Sequence, residues 1–387
     1  MIVEIVSGVI LILVVMEIVH RRRIFSIRDE IGLPGPKPNL VTGNLESYMA
    51  PIRKGGPSAS PYTYPNLISE YGPTCGVYFG TQLEILTIEP EIIKEVFISQ
   101  FSNFAARKKV EINRVYPLAE SLLAVDHKGT HGAGWKEIRS VISAIFTSGK
   151  MKKIRPFPDI IDLILSENEK RTEKGESPLH HDVIVSNVWA LFLAGYETTS
   201  TALAFASFLL AKYPEAQDQL REEIDSAFAP EETIDYEKVM KLPYLHAVFC
   251  EVLRIYPPII TSTSRKCVKE TVIGGKWKIP VGVNVLAPVH AIHWSEQNYE
   301  RPMEFLPERF LSDEKPSWSP THMPFGIGPR NCVGSRFAEM EFKTVLTEVT
   351  RRFITELDPA HKELKTFQAS TLHGPIDNIL YVKLTKR

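Results

Sequence analysis

Ten residues near the end of the chain, Phe325-Gly326-Ile327-Gly328-Pro329-Arg330-Asn331-Cys332-Val333-Gly334, carry the types that metal-centred chemistry needs. Cys332 stands just ahead of a helix-like run from Ser335 to Arg351. Backbone N–H groups at a helix start favour negative charge, so its thiol should ionise readily and ligate a metal as thiolate. Gly326 and Gly328 permit positive φ and a close backbone approach to something large and flat. Arg330 offers a planar, permanently charged fork for a carboxylate. Thiolate, room for a macrocycle and a carboxylate clamp together describe a haem ligated by cysteine. An isolated cysteine is more usually a small buried core residue. Against that, F-G-x-G-x-R-x-C-x-G arises by chance at well under about one in a million start positions, given ordinary glycine and cysteine usage.

Other residues carry weaker signals. Residues 187–211 form the longest apolar stretch, broken by Ala194-Gly195-Tyr196-Glu197-Thr198-Thr199. Buried polar groups are costly unless partnered or functional. Small Ala194 and Gly195 leave room beside a helix for a ligand. The Thr198 hydroxyl can open the helical ladder and hold a water, and Glu197 can exchange protons. The plain alternative is threonines bonding back onto a core helix. Trp135 and Arg139, four apart, share a helix face; alone they describe a core tryptophan beside a solvated arginine. Glu251 and Arg254, three apart, would alone be an ordinary surface pair. His290 and His293 have a possible metal spacing without further ligands nearby, and read as structural.

Taken together, these motifs resemble those of the cytochrome P-450 superfamily. Residues 325–334 match its haem-binding signature at every fixed position, and 194–199 match its oxygen-activating A-G-x-[DE]-T-T motif. Glu251-Val-Leu-Arg254 and Pro307-Glu308-Arg309-Phe310 are similar to its E-x-x-R and P-E-R-F. The resemblance implies a mainly α fold with small β-sheets and a haem b whose axial ligand is Cys332. Phe325, Gly326, Arg330, Gly334 and Ala194 would line that haem, with Trp135, Arg139 and Arg265 on its propionates. Glu251, Arg254 and Arg309 would form a buried ionic cluster that fixes the loop leading to Cys332, locking geometry more than adding stability. Thr198 and Glu197 would be catalytic, guiding protons to dioxygen. The implied activity is a monooxygenase inserting one atom of dioxygen into an apolar small molecule (xenobiotic, steroid or fatty acid). Its electrons would come from an NADPH-dependent flavoprotein reductase, because the chain has no dinucleotide fingerprint of its own. Two other readings stay open. One is a haem-thiolate isomerase or dehydratase needing no reductase, against which the intact Glu197-Thr198 pair stands. The other is a haem-poor, catalytically inactive form.

The elements that must position these residues follow from the remaining pattern. With 387 residues, 44% hydrophobic and 24% charged, the chain can bury a sizeable core. A net charge of −1 gives no argument for nucleic acid. Four scattered cysteines (Cys75, Cys250, Cys267, Cys332) make neither a disulfide framework nor a paired metal site. Residues 1–24 read as an N-terminal membrane anchor: an apolar run from Ile5 to Met16, then Arg21-Arg22-Arg23. Positive charge after the run keeps the body cytosolic, on the endoplasmic reticulum membrane by family likeness. Leu33-Pro34-Gly35-Pro36-Lys37-Pro38 is a stiff linker, and 25–387 a single haem domain. Strands are expected around the Gly80-Thr81-Gln82 turn and a hairpin at Gly274-Gly275. Helices are expected from Pro90, Trp135, Pro214 and Pro243. A terminal turn and strand carry Leu372, where the family places a substrate-contact loop. The likeness is nearest to the animal microsomal branch, loose over 30–150 and close over 184–387. Residues 151–186 are too few: at about 11–12 residues per helix and about 4–6 per connection they hold about two helices, where the family has several more. This reads as an internal deletion. Met151–Phe157 resembles one helix start and Asp159–Ser166 the end of a much later helix, leaving the apolar helix at 187–211 short of partners.

Overall fold

Proline, glycine and apolar spacing set most of the element boundaries. The structure, a computed structural model, describes residues 2–107, 116–125, 128–146, 159–261, 263–312, 318–359, 362–369 and 372–387. The chain opens with one uninterrupted helix, α1 (Ile2–Ile31), which runs past the expected anchor boundary at residue 24. Its apolar residues from Ile5 to Met16 are exposed, whereas Phe25 and Arg28 near its far end are buried. Among the described residues no helix is long and apolar enough to cross a membrane. The proline linker is pinned: Gly76 N–H donates to Pro34 O (2.8 Å), and Arg28 and Asn44 side chains donate to Pro36 O.

Helices α2 (Leu45–Gly55) and α3 (Thr63–Tyr71) lead to strands β1 (Thr74–Phe79) and β2 (Gln82–Thr87). The strands turn at Gly80-Thr81, with Phe79 opposite Gln82. Both are buried on nearly every residue, because β2 also pairs on its other edge and helices cover the faces. Pro90 opens α4 (Pro90–Lys94), where a missing N–H does no harm. In α5 (Trp135–Ile145) the spacing of Trp135, Ile138, Val141, Ile142 and Ile145 buries one face. Helices α6 (Ile160–Glu173), α7 (His181–Lys212), α8 (Pro214–Ala227), α9 (Tyr236–Met240) and α10 (Pro243–Ile255) follow. Short strands β3 (Ser264–Lys266), β4 (Thr271–Ile273), β5 (Trp277–Ile279) and β6 (Asn284–Leu286) come next. The main sheet has the order β1-β2-β6-β3, with β2 and β6 parallel. The β4–β5 hairpin turns on Gly274 and Gly275, both at positive φ, as expected. Last come α11 (Val289–His293), α12 (Ser335–Arg352) and β7 (Phe353–Leu357), β8 (Thr366–Ala369), β9 (Leu372–Pro375) and β10 (Val382–Lys386). The architecture is mainly α with small sheets.

One core packs the C-terminal half of α7 against α8, α10 and α12, through Phe205, Leu209, Leu220, Val248 and Phe342. A second surrounds the main sheet. A third joins α5, α6 and the start of α7 through Ile138, Ile142, Ile164 and Val183.

One expectation is met and one needs correction. First, α7 is short of partners, as expected. Phe205 and Phe208 are buried, but Trp189 (50%), Phe192 (62%) and Tyr196 (68%) are exposed in a stacked row. Between Asp159 and His180 the described chain supplies one helix, α6, and α6 covers only the first turns of α7. Second, Asp159 begins a helix instead of ending one. Its carboxylate caps Ile161 N–H (2.8 Å) and Asp162 N–H (3.0 Å), while Asp162 reaches back to Asp159 N–H (3.0 Å). The expected helix start at Met151–Phe157 lies outside the described residues.

Candidate functional site

Cys332 lies three residues before α12, whose N-cap is Gly334. Its N–H donates to Phe325 O (2.8 Å), closing the glycine loop on itself. The residue is exposed. Even so, burial pushes its thiol above the usual range, outweighing the Gly334 N–H and the Arg139 and Arg107 guanidiniums, which favour thiolate. Easy ionisation from the helix start alone is therefore not what the structure gives. Desolvation wins, and the thiol keeps its proton until a cation replaces it.

The two loop glycines differ in purpose. Both have positive φ. A Cβ on Gly328 would lie 2.0 Å from the Phe97 carbonyl oxygen, so its close approach is to protein backbone and not to a bound macrocycle. A Cβ on Gly326 would meet Thr263 Cγ2 at 3.7 Å, which is ordinary contact.

Two buried arginines, Arg265 and Arg330, and the half-buried Arg107 gather beside the loop. Arg330 lies over the Trp135 ring (4.6 Å) and donates to Val125 O (3.3 Å). Arg107 donates to Arg330 O (2.8 Å). Arg265, 1% exposed, lies over the Phe97 ring (4.6 Å) and donates to Ser264 O (2.8 Å) and Ile327 O (3.4 Å). Its Nε has no partner among the described residues. Burial, then the charges of Arg107 and Arg330, pull the Arg265 guanidinium well below its usual pKa. Like charges crowded out of water call for an anion between them. A group bearing carboxylates fits this place, and haem is such a group. Arg139 bonds instead to Asn331, at O (2.7 Å) and Oδ1 (3.0 Å), bracing the residue next to Cys332. Arg107 was not singled out from sequence. Its only signal is a basic triplet with Lys108 and Lys109, and its meaning comes from residues far along the chain.

Glu251, Arg254 and Arg309 form one buried ionic cluster. Arg254 meets both Glu251 oxygens (2.7 and 2.8 Å), and Arg309 Nε reaches Glu251 Oε1 (3.3 Å). The same oxygen accepts Leu306 N–H (2.9 Å), while Arg254 Nη1 donates to His293 O (3.0 Å) and Pro302 O (2.6 Å). Every charge is paired and every donor directed, so removing one member strands the others. His290 and His293 are buried; His293 Nε2 accepts Met323 N–H (3.0 Å) and Nδ1 donates to Arg254 O (3.2 Å). Leu372 is an exposed residue of β9, bridged through its backbone to Ile259.

On α7, the Thr198 hydroxyl donates to Ala194 O (2.6 Å) and the helix is continuous through it. A Cβ on Gly195 would meet nothing within 4 Å, because this turn faces solvent. Glu197 is exposed. Phe325 packs on the core around the C-terminal half of α7, and Val333 on the core around its start.

The family model of cytochrome P450 matches residues 33–161 and 155–381. Among curated relatives, Cytochrome P450 3A31 of Mesocricetus auratus is 38% identical over 196 residues, covering 50% of this chain and 38% of that protein. Cytochrome P450 3A2 of Rattus norvegicus is 40% identical over 197 residues, covering 50% and 39%. In these alignments the chain spans well under half the length of the relative. Cytochrome P450 3A9 of Rattus norvegicus aligns over 457 residues at 26% identity, covering 86% of this chain and 87% of that protein. An alignment longer than the 387-residue chain must open gaps in it. The two segments of the family match also meet at 155–161, within the shortened region.

Proposed function

Because the chain belongs to the cytochrome P450 family, we propose that it is a haem-thiolate monooxygenase acting on an apolar small molecule, with electrons from an NADPH-dependent flavoprotein reductase. The observation that carries this is the crowd of arginines beside Cys332, a cationic site with an orphaned donor on Arg265. When bound, haem supplies the reduction of dioxygen and the transfer of one oxygen atom to substrate. Cys332 would hold the iron as thiolate, its charge steadied by the Gly334 N–H and the Arg139 guanidinium. Arg265, Arg107 and Arg330 would hold the carboxylates. Thr198 Oγ1, on leaving Ala194 O, holds a water in the open space beside Gly195. Glu197 exchanges protons with solvent. The ionic cluster around Glu251 keeps the loop in register. The exposed apolar face of α1 rests in the endoplasmic reticulum membrane, with the body on the cytosolic side.

A second reading, a haem-poor form without turnover, is favoured by the exposed row of Trp189, Phe192 and Tyr196. The absorption spectrum of the reduced, CO-treated chain separates the two. A thiolate-type band at one haem per chain, with reductase-dependent oxidation, supports the monooxygenase. Absence of that band in well-folded protein supports the haem-poor form.

A further inference from the structure

Away from the Cys332 site, two chain segments, the loop ahead of α5 and the start of α7, bring His131, His180 and Asp182 together. The ligand atoms of these residues all lie within 4.8 Å of one another. His131 Nε2 and His180 Nδ1 each stand 3.3 Å from Asp182 Oδ2, and the two imidazole rings stack at 3.7 Å, 6° from parallel. In a tetrahedral zinc site with bonds of about 2.0–2.1 Å, neighbouring ligand atoms lie roughly 3.3–3.4 Å apart. Two of the three separations already have that value. We propose that His131, His180 and Asp182 bind a borderline divalent transition ion, with zinc as the archetype and water completing the coordination.

The donor set suits such an ion: two imidazoles and one carboxylate select zinc, nickel or copper over calcium or magnesium. The backbone is held in advance, while the two imidazoles must rotate out of their parallel stack for both ring nitrogens to face one ion. Glu120, itself buried, accepts Thr130 N–H (2.9 Å), and Gly129 N–H donates to Ala133 O (2.8 Å), fixing the His131 loop. Asn187 of α7 ties that region to the helix by accepting Leu122 N–H (2.8 Å). The Tyr116 hydroxyl donates to Asp182 and holds its carboxyl below the usual range, so the carboxylate is ionised at neutral pH. Tyr116 has its own pKa pushed up to about 12 and stays a hydrogen-bond donor instead of a ligand. Two terms oppose binding. The start of α7 disfavours a cation, which Asp182 in the first turn offsets. The ion must also take Nδ1 of His180 from a long bond to Asp182 N–H (3.2 Å). All three side chains are accessible to solvent, so the ion has an entry path. Once bound it would clamp the loop ahead of α5 to the start of α7, two elements that flank the Cys332 region.

The test uses the full chain, without a histidine tag, titrated with zinc against a chromophoric chelator, and with cobalt(II) as a spectroscopic probe. The expected result is one zinc per chain and a tetrahedral-type cobalt spectrum. His131→Gln and His180→Gln should each weaken zinc binding at least about tenfold, the size seen when even an outer partner of a metal site is removed. His181→Gln and Cys332→Ala should leave it unchanged. Circular dichroism matched to the parent shows that the variants are folded, and Asp182→Asn offers an isosteric third variant. Absence of stoichiometric binding, or binding that survives both His131→Gln and His180→Gln, overturns the proposal and leaves the cluster as an imidazole–carboxylate contact.

Discussion

At Cys332, burial and positive charge pull the thiol in opposite directions, and burial prevails in the protein alone. Cys75, Cys250 and Cys267 are buried without comparable surroundings. Cys332→Ala should therefore abolish the thiolate-type band of the reduced, CO-treated protein, while alanine at each of the other three should spare it. A band surviving in Cys332→Ala would remove this residue from the iron. A second residue-scale expectation concerns acid. Burial pushes His290 down to about 3 and His373 down to about 4. Unfolded histidines take up protons near pH ~6.5, whereas these stay neutral in the fold. Their contribution to stability is thus complete above about pH 6.5 and is lost progressively as pH falls toward about 3–4. Melting temperature measured from about pH 7 to about pH 4.5 should fall steadily, and less steeply in His373→Gln; a flat profile would contradict the assignment. The Glu251–Arg254 pair was legible in sequence because its members lie three residues apart in a fixed motif. Arg107 was not, because its role exists only where Arg265 and Arg330 come close. The high thiol pKa was misjudged because helix-start position can be read from sequence and desolvation cannot.

At the scale of elements, α5 and the openings of α4, α8 and α10 matched expectation to the residue, since proline and apolar spacing act locally. Asp159 was misread because its capping box, Asp159 with Asp162, was taken for the tail of the apolar run Ile160–Leu165. In α7 the sequence describes a helix short of partners, but which of its faces is left bare depends on which neighbours exist. The same residue type on this one helix should consequently respond in two ways. Phe205→Ala, in the core beside Tyr256, should cost about 3–5 kcal/mol. Phe192→Ala, on the exposed row, should stay within about 0.5 kcal/mol. Urea unfolding of the two variants measures the contrast. A large loss at Phe192 would mean that this face is covered in solution.

For the whole molecule, the family match divides at 155–161 and the long alignment opens gaps in the chain, consistent with a shortened chain, and α7 keeps an exposed face at Trp189, Phe192 and Tyr196. Each large apolar side chain left in water forgoes roughly 1.5–3 kcal/mol of burial, which is why the shortened chain holds its core yet leaves that face bare. The opposite end of the molecule leads to a location test. With Ile5 to Met16 exposed on α1, carbonate-washed membranes should retain the chain, and acceptor sites placed in the body should stay unglycosylated; release or glycosylation would contradict the proposed orientation. The joint between α1 and the body also has a mechanical consequence. Thirty helical residues make a rod roughly 45 Å long. Its base is seated by Phe25 and Arg28, and the prolines beyond are bonded to Gly76 of β1 and to Asn44. Such a rod is a lever and not a slack tether. Torque applied where Ile5 to Met16 are gripped passes through the seat at Arg28 into the main sheet, so the body must turn with its helix.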